Sequence, residues 1–212
     1  MATEAQTAQR RRRLIEATIA VIAKQGLAGT RIADVAREAG VSYGVVNFYF
    51  KSKDQLLADT LEHLAADYEA AAADALAAAG PSAVDQLYAV IDLDFSDRVA
   101  GRRQIAAWTA FWSESRANAA FRKRCVAVQD RFLQMSRRLV REAMVETGRR
   151  EDLDLLAAAL NNLVTGLWVE LQLRGASRDA REEAKRVCTA YIAAIFPDAA
   201  RPRPAQRSEP AA

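Results

Sequence analysis

Residues 30–50 read TRIADVAREAGVSYGVVNFYF, and one straight helix cannot bury their apolar side chains. Ile32, Val35, Ala36 and Ala39 recur at intervals of three and four and make one helical face, whereas Val46 and Phe50 belong to a second face beyond Gly40. Glycine takes a positive φ without strain, so Gly40 marks the point where the first helix stops and the chain turns. Thr30 is expected to cap the first helix, Asp34 to favour its positive end, Val41 to plug the corner and Ser42 to cap the second helix. Two short helices crossing over a shared core in this way form a helix-turn-helix. With Val46 and Phe50 turned inward, Tyr43, Gly44, Asn47 and Phe48 remain on the outer side.

That outer side has the chemistry to read duplex DNA. Ser42 and Tyr43 can donate to base edges or phosphates, Asn47 can pair in bidentate fashion with adenine, and Gly44 lets the backbone come close. An ordinary helical hairpin would share the apolar spacing, but the continuation KSKDQLL argues against it. Ser52 is expected to cap a further helix with Lys51 and Lys53 beside its start, which gathers cations and backbone N–H groups where a phosphate would sit.

On these residues the chain resembles the TetR family of bacterial repressors, whose signature continues into F-x-x-K-x-x-L, here Phe50, Lys53 and Leu56. The resemblance spans roughly residues 10–60 and implies a DNA-reading head, a larger helical domain for a ligand and for dimerisation, and a long helix acting as a pendulum between them. Thr30, Arg31 and Tyr49 are counted with the DNA-facing set. Where many relatives carry Tyr and then His or Tyr, this chain has Asn47 and Phe48, so a tyrosine–phosphate contact is lost and no operator sequence can be carried over.

Composition agrees with that architecture. A chain of 212 residues, 51% hydrophobic and 27% charged, can bury a small and a larger core, and its 9 Gly and 5 Pro among abundant Ala, Leu, Arg and Glu favour an all-α fold. We expect a helix-turn-helix domain over 1–55, a helical ligand-binding and dimerisation domain over 56–197, and a disordered Pro-rich tail over 198–212. Residues 1–60 carry 9 Lys or Arg against 6 Asp or Glu, while the rest balances at 21 against 21, so the whole surplus of positive charge lies where phosphate contacts are expected. The N-terminal stretch lacks the apolar core of a signal peptide and no run is long enough to span a bilayer, which points to a cytoplasmic protein without a membrane partner.

His63 is the only histidine, which excludes multi-histidine metal sites and leaves little for a histidine-based nucleophilic triad. Cys125 and Cys188 lie in separate helical segments and read as reduced thiols. With no Gly-rich phosphate loop either, we expect a binding protein and not an enzyme, with no cofactor and no metal.

The four arginines at 10–13 precede a helix bearing Leu14, Thr18, Val21 and Ile22, and read either as a solvated face or as an arm along a phosphate strand or minor groove. Further helices are expected at about 52–79, 82–97, 101–116, 118–146, 149–173 and 177–195. The last two carry long apolar stripes. One runs through Leu153, Leu156, Leu160, Leu163, Leu167 and Leu171, the other through Ala180, Ala184, Val187, Cys188, Tyr191, Ile192 and Ile195. A palindromic operator needs two reading heads at fixed separation, so we expect a homodimer built on these stripes.

All three tryptophans fall beyond the DNA-reading stretch: Trp108 and Trp112 lie four residues apart with Phe111 between them, and Trp168 is in a later helix. Tyr88 and Phe95 add rings, and Asp92, Asp94 and Glu114 add carboxylates. Rings at helical spacing most often form core, yet the same rings could hold a quaternary ammonium by cation–π attraction. Of this cluster, Tyr88, Asp92, Phe95, Trp108, Phe111, Trp112 and Trp168 are the expected ligand-binding set. AAWTAFW at 106–112 and TGLWVEL at 165–171 resemble the choline-responsive BetI group of the family, repressors of glycine betaine synthesis. That resemblance implies operator DNA and a choline-like cation as partners. Where the group often has an acid before Gly-Leu-Trp, this chain has Thr165, so the countercharge must come from elsewhere. The alternative is a repressor of efflux or lipid-metabolism genes that senses an uncharged hydrophobe through the same rings.

Overall fold

In the computed structural model, which describes residues 4–116 and 118–197, every regular element among the described residues is a helix. The expected tail at 198–212 lies outside the described residues. The chain runs through α1 (Glu4–Gly29), α2 (Ile32–Ala39), α3 (Tyr43–Tyr49), α4 (Lys53–Ala78) and α5 (Ala83–Asp94). It continues through the single turn α6 (Asp97–Ala100), then α7 (Arg102–Glu114), α8 (Ala119–Thr147), α9 (Leu153–Arg174) and α10 (Arg178–Ile195).

The turn between α2 and α3 forms as its residues demand. Gly40 sits at φ 67 and ψ 34, and the Gly40 and Val41 N–H groups donate back to carbonyls in the last turn of α2. Val35, Val46 and Phe50 are wholly buried beside it, while Val41 is 37% exposed and so does not plug the corner. Capping also departs from expectation. Thr30 is buried and its hydroxyl donates to the Gly26 carbonyl at 2.8 Å, so α2 starts after Arg31 without a side-chain cap. Gly26, at φ 74, breaks α1 ahead of Leu27 and supplies that acceptor. Ser42 makes no capping bond, which leaves its hydroxyl at the surface. Ser52 does cap α4: its Oγ accepts the Gln55 N–H at 3.1 Å, and Gln55 Oε1 accepts the Lys51 N–H at 2.9 Å.

The arginines at 10–13 belong to α1 itself and form no separate arm. Arg11 pairs with Asp59 at 2.7 Å and its guanidinium lies 5.3 Å from the Phe50 ring centre, so it clasps α1 to α4 and the helix-turn-helix core. Farther along α1, Arg103 of α7 donates to the Glu16 carbonyl at 2.6 Å and to its carboxylate at 3.0 Å. His63 of α4 stands 3.2 Å from the same carboxylate and 3.3 Å from Asp67. The reading head is thus joined to the larger helical body through α1 against α4 and α7.

The apolar stripes on α9 and α10 mostly face inward. Leu160, Leu171, Ala184, Cys188 and Ile192 are buried, and Leu153, Leu156, Leu163 and Leu167 are half-buried against the same core. The open face lies one helical step away. On α9 it carries Leu155 (66% exposed), Asn162, Gly166, Val169 and Leu173 (80% exposed), and on α10 Val187 and Ala194. The expected leucine ridge is therefore largely packed against this chain's own core, and the exposed apolar side chains of α9 lie on the neighbouring face.

Candidate DNA-binding face and ligand pocket

On the reading head, Ser42, Tyr43, Gly44, Asn47 and Phe48 are all exposed and share the outer side of α3, as the burial of Val46 and Phe50 requires. Phe48 is 81% exposed, an apolar ring in water held edge-on to Tyr49 with centroids 5.2 Å apart. Tyr49 is half-buried, and Arg31 is exposed at the start of α2. Thr30 is the exception: its burial removes it from any contact with DNA, and it acts instead as a latch between the end of α1 and α2. At the start of α4, Lys51 is exposed, and the Lys53 ammonium leans 3.4 Å from the Ala28 carbonyl, a long bond that a phosphate can displace. Asp34, on the first turn of α2, is held below the usual carboxylate range by the Gln25 amide and by Arg37.

The pocket opens between α4, α5, α7, α8 and α9, and a run of rings forms much of its wall. Tyr68 meets Phe132 at 4.6 Å between centroids, Phe132 meets Trp108 at 5.9 Å, Trp108 meets Trp112 at 6.4 Å, and Trp112 meets Trp168 at 6.3 Å. Gln129, Ser136, Asn161 and Thr165 add uncharged polar groups. Asp94 is the carboxylate on the lining, 5% exposed, and its Oδ1 accepts the Tyr68 hydroxyl at 2.7 Å. Its backbone carbonyl accepts the Trp168 indole N–H at 3.1 Å, which fixes that ring against α5. Burial pushes the Asp94 carboxyl up to about 7, against the lowering effect of the Tyr68 bond. The Tyr68 hydroxyl is raised in turn by burial and by Asp94. Cys188 is pushed up to about 12 by burial and then by Asp94, so it stays a thiol.

Of the seven expected ligand residues, Trp108, Trp112 and Trp168 line this pocket and four do not. Phe111 is wholly buried behind it, stacked on Phe121 at 6.1 Å, and Tyr88 and Phe95 belong to the core. Asp92 faces away and pairs with Lys185 at 2.9 Å. Helical phase is the reason: Leu87, Val90, Ile91 and Asp94 share the pocket face of α5, and Tyr88 and Asp92 lie about 110° and about 150° around from its centre. The expected ligand set left out Tyr68, Asp94 and Phe132, all of which line the pocket. The available signal was an acid in register with the apolar face of α5, and a tyrosine in register with the leucines of α4.

Residues 83–197 match the family model described as BetI-type transcriptional repressor, C-terminal, and residues 14–60 match that of bacterial regulatory proteins, tetR family. The chain is 34% identical to the HTH-type transcriptional regulator BetI of Burkholderia thailandensis, over 83% of this chain and 88% of that protein. It is 36% identical to the regulator of the same name from Burkholderia cenocepacia, over 83% and 89%. A transcriptional regulator from Saccharomonospora viridis, solved in complex with choline, superposes with a TM-score of 0.76 at 26% identity, covering 87% of this chain and 96% of that one. Another, from Pseudomonas aeruginosa PAO1, superposes at 0.78 and 26% identity, covering 91% and 93%.

Proposed function

The chain belongs to the TetR family, with a BetI-type C-terminal domain, and on that premise we propose that it is a dimeric repressor released from its operator by choline or a related quaternary ammonium. The observation that carries the ligand is the wall of rings. Its aromatic side chains lie around one pocket, where their faces can desolvate the methyl groups of a cation that cannot itself donate a hydrogen bond. The choline bound to the relative from S. viridis supports this reading. Transcriptional regulation, and not catalysis, is what the relatives' names describe. Genes of glycine betaine synthesis are the regulatory target we propose, since such a sensor would be useful there.

For DNA, the proposed contacts are Arg31, Ser42, Tyr43, Gly44, Asn47, Phe48, Tyr49 and Lys53, with Asn47 reading a base and Lys53 neutralising a phosphate. The proposed division has the reading head end within the first turn of α4 and the ligand and dimerisation domain follow to residue 197. No helix among the described residues is long and apolar enough to cross a membrane.

Calorimetry tests the ligand. Choline titrated into the free protein should give saturable heat, and Trp108→Ala or Trp112→Ala should weaken binding by about tenfold, as the loss of one well-placed ring predicts. Choline should also bind the operator complex more weakly than free protein, because an effector that lowers DNA affinity must itself be disfavoured by DNA. Absence of heat with choline, alongside tight binding of an uncharged hydrophobe, would instead support the reading as a sensor of lipophilic ligands.

A further inference from the structure

A quaternary ammonium taken from water into a ring-lined pocket needs a countercharge, and α9 offers none there: next to Gly166 it has Thr165, whose hydroxyl donates to the Asn161 carbonyl at 2.9 Å. On α5, Asp94 points into the same pocket with its carboxyl almost completely shielded from water. Its Oδ1 accepts the Tyr68 hydroxyl, which donates a hydrogen bond but brings no positive charge. No Lys, Arg or His lines the pocket among the described residues. Around Asp94, α4 presents Tyr68, α10 presents the Cys188 thiol, and α7, α8 and α9 present neutral groups. Asp92, on the same helix, is turned away towards Lys185. A carboxylate in that setting has no cationic side chain to compensate it, which favours the neutral acid.

Resting on the ligand reading above, we propose that Asp94 makes this pocket select a cation over a neutral molecule of the same shape, and that the arriving cation expels the proton held on the Asp94 carboxyl. The exchange balances: one positive charge enters, one proton leaves for solvent, and Tyr68 keeps its own proton and goes on donating to the carboxylate. Tyr68 is thus a positioning residue, which holds Oδ1 at 2.7 Å from its hydroxyl while the remaining oxygen is available to the ligand. Burial that raises the carboxyl to about 7 places the exchange within the physiological range. Below that pH each bound cation has to displace a proton and apparent affinity falls; above it the carboxylate is already formed and affinity levels off.

The test compares choline with dimethylbutanol, in which carbon replaces the charged nitrogen, by calorimetry near pH 6 and pH 8 in buffers of differing protonation enthalpy. Wild-type protein should release close to one proton per choline near pH 6. Its choline affinity should fall by about tenfold per pH unit below about 7, and dimethylbutanol should show neither effect. Asp94→Asn should bind the two ligands alike at both pH values with no proton release, its fold checked by thermal unfolding. Tyr68→Phe should keep the preference for choline but shift the pH dependence. Choline binding without proton release in the wild type, or an undiminished choline preference in Asp94→Asn, would overturn the role of Asp94 and leave the ring-lined pocket standing. Failure of both ligands to bind wild-type protein at either pH would overturn the ligand reading itself, and this proposal with it. The wild-type measurement decides the matter even if Asp94→Asn does not fold.

Discussion

Asp92 and Asp94 stand two residues apart on α5 and live in opposite environments, one paired with Lys185 near the surface and the other enclosed by rings. The difference has a consequence for stability. The folded-state value for Asp94, about 7, exceeds its unfolded value, so the native state holds that proton more tightly, and stability falls as pH rises from about 4 to about 7. Asp94→Asn removes the penalty. Without ligand, the variant should be more stable than wild type above pH 7, by on the order of 1–4 kcal/mol, with the gap closing below about pH 4. Urea unfolding across that range measures it; a gap independent of pH would show that folding does not raise the Asp94 carboxyl. On the DNA face the same residue-level reasoning separates two contacts. Asn47→Ala should relax base preference at a cost of roughly 1–3 kcal/mol on operator, whereas Lys53→Ala should weaken operator and random DNA alike and lower the salt slope by about one unit. Which side chains α3 turns outward was legible, because the burial of Val46 and Phe50 leaves α3 only one free side. Which acid lines the pocket was not, because two carboxylates on one helix differ only in phase relative to a pocket that forms from five helices.

At the level of helices, boundaries were readable where a residue has a single physical use. Gly40 and Gly148 take the left-handed ends of α2 and α8, and Ser52, Ser82, Asn118 and Ser177 cap α4, α5, α8 and α10 within a residue or two of the expected starts, whereas α9 starts at Leu153 behind an Asp152 cap and not at about 149. The start of α1 was left open, since a run of arginines suits both a solvated face and an arm by composition; Arg10, Arg12 and Arg13 are exposed on the helix, and the contacts of Arg11 with Asp59 and Phe50 make it part of the packing. The stripes on α9 and α10 were legible as apolar but not as core or interface, because both surfaces exclude water and select similar side chains. Burial separates them. The open face of α9 carries Leu155, Val169 and Leu173, and Gly166 has nothing near the position a Cβ would take, which leaves room for close approach of a partner helix. Leu173→Glu or Val169→Glu should therefore give folded monomers by sedimentation with helix content unchanged. Ile192→Glu, at a buried position, should unfold the chain instead, since an unpaired buried carboxylate costs several kcal/mol. Folded dimers from the α9 variants would move the interface to another face.

For the whole molecule, the question is how a ligand among α4, α5, α7, α8 and α9 reaches a reading surface on α3. Two routes leave the pocket. Tyr68 lies on α4, whose other end carries Lys53 and the capped start at Ser52, so a shift of α4 acts directly on the DNA side. Trp108 and Trp112 lie on α7, whose first turn carries Arg103, bound to the carbonyl and carboxylate of Glu16 in the middle of α1. The two routes meet at Glu16, which His63 of α4 also approaches. Coupling requires that choline favour one arrangement of this joint and the operator another, each affinity changing by the same factor. Arg103→Ala cuts the α7 route at a place that touches neither ligand nor DNA. Choline affinity of the free protein should then stay within about twofold of wild type, while the factor by which saturating choline weakens operator binding should shrink, by roughly three- to tenfold if the coupling lost is of the usual size for a single joint. Operator titrations with and without choline give the factor directly. An unchanged factor would assign the signal to α4 alone, and Glu16→Gln, which disturbs both routes, should then reduce the coupling where Arg103→Ala did not.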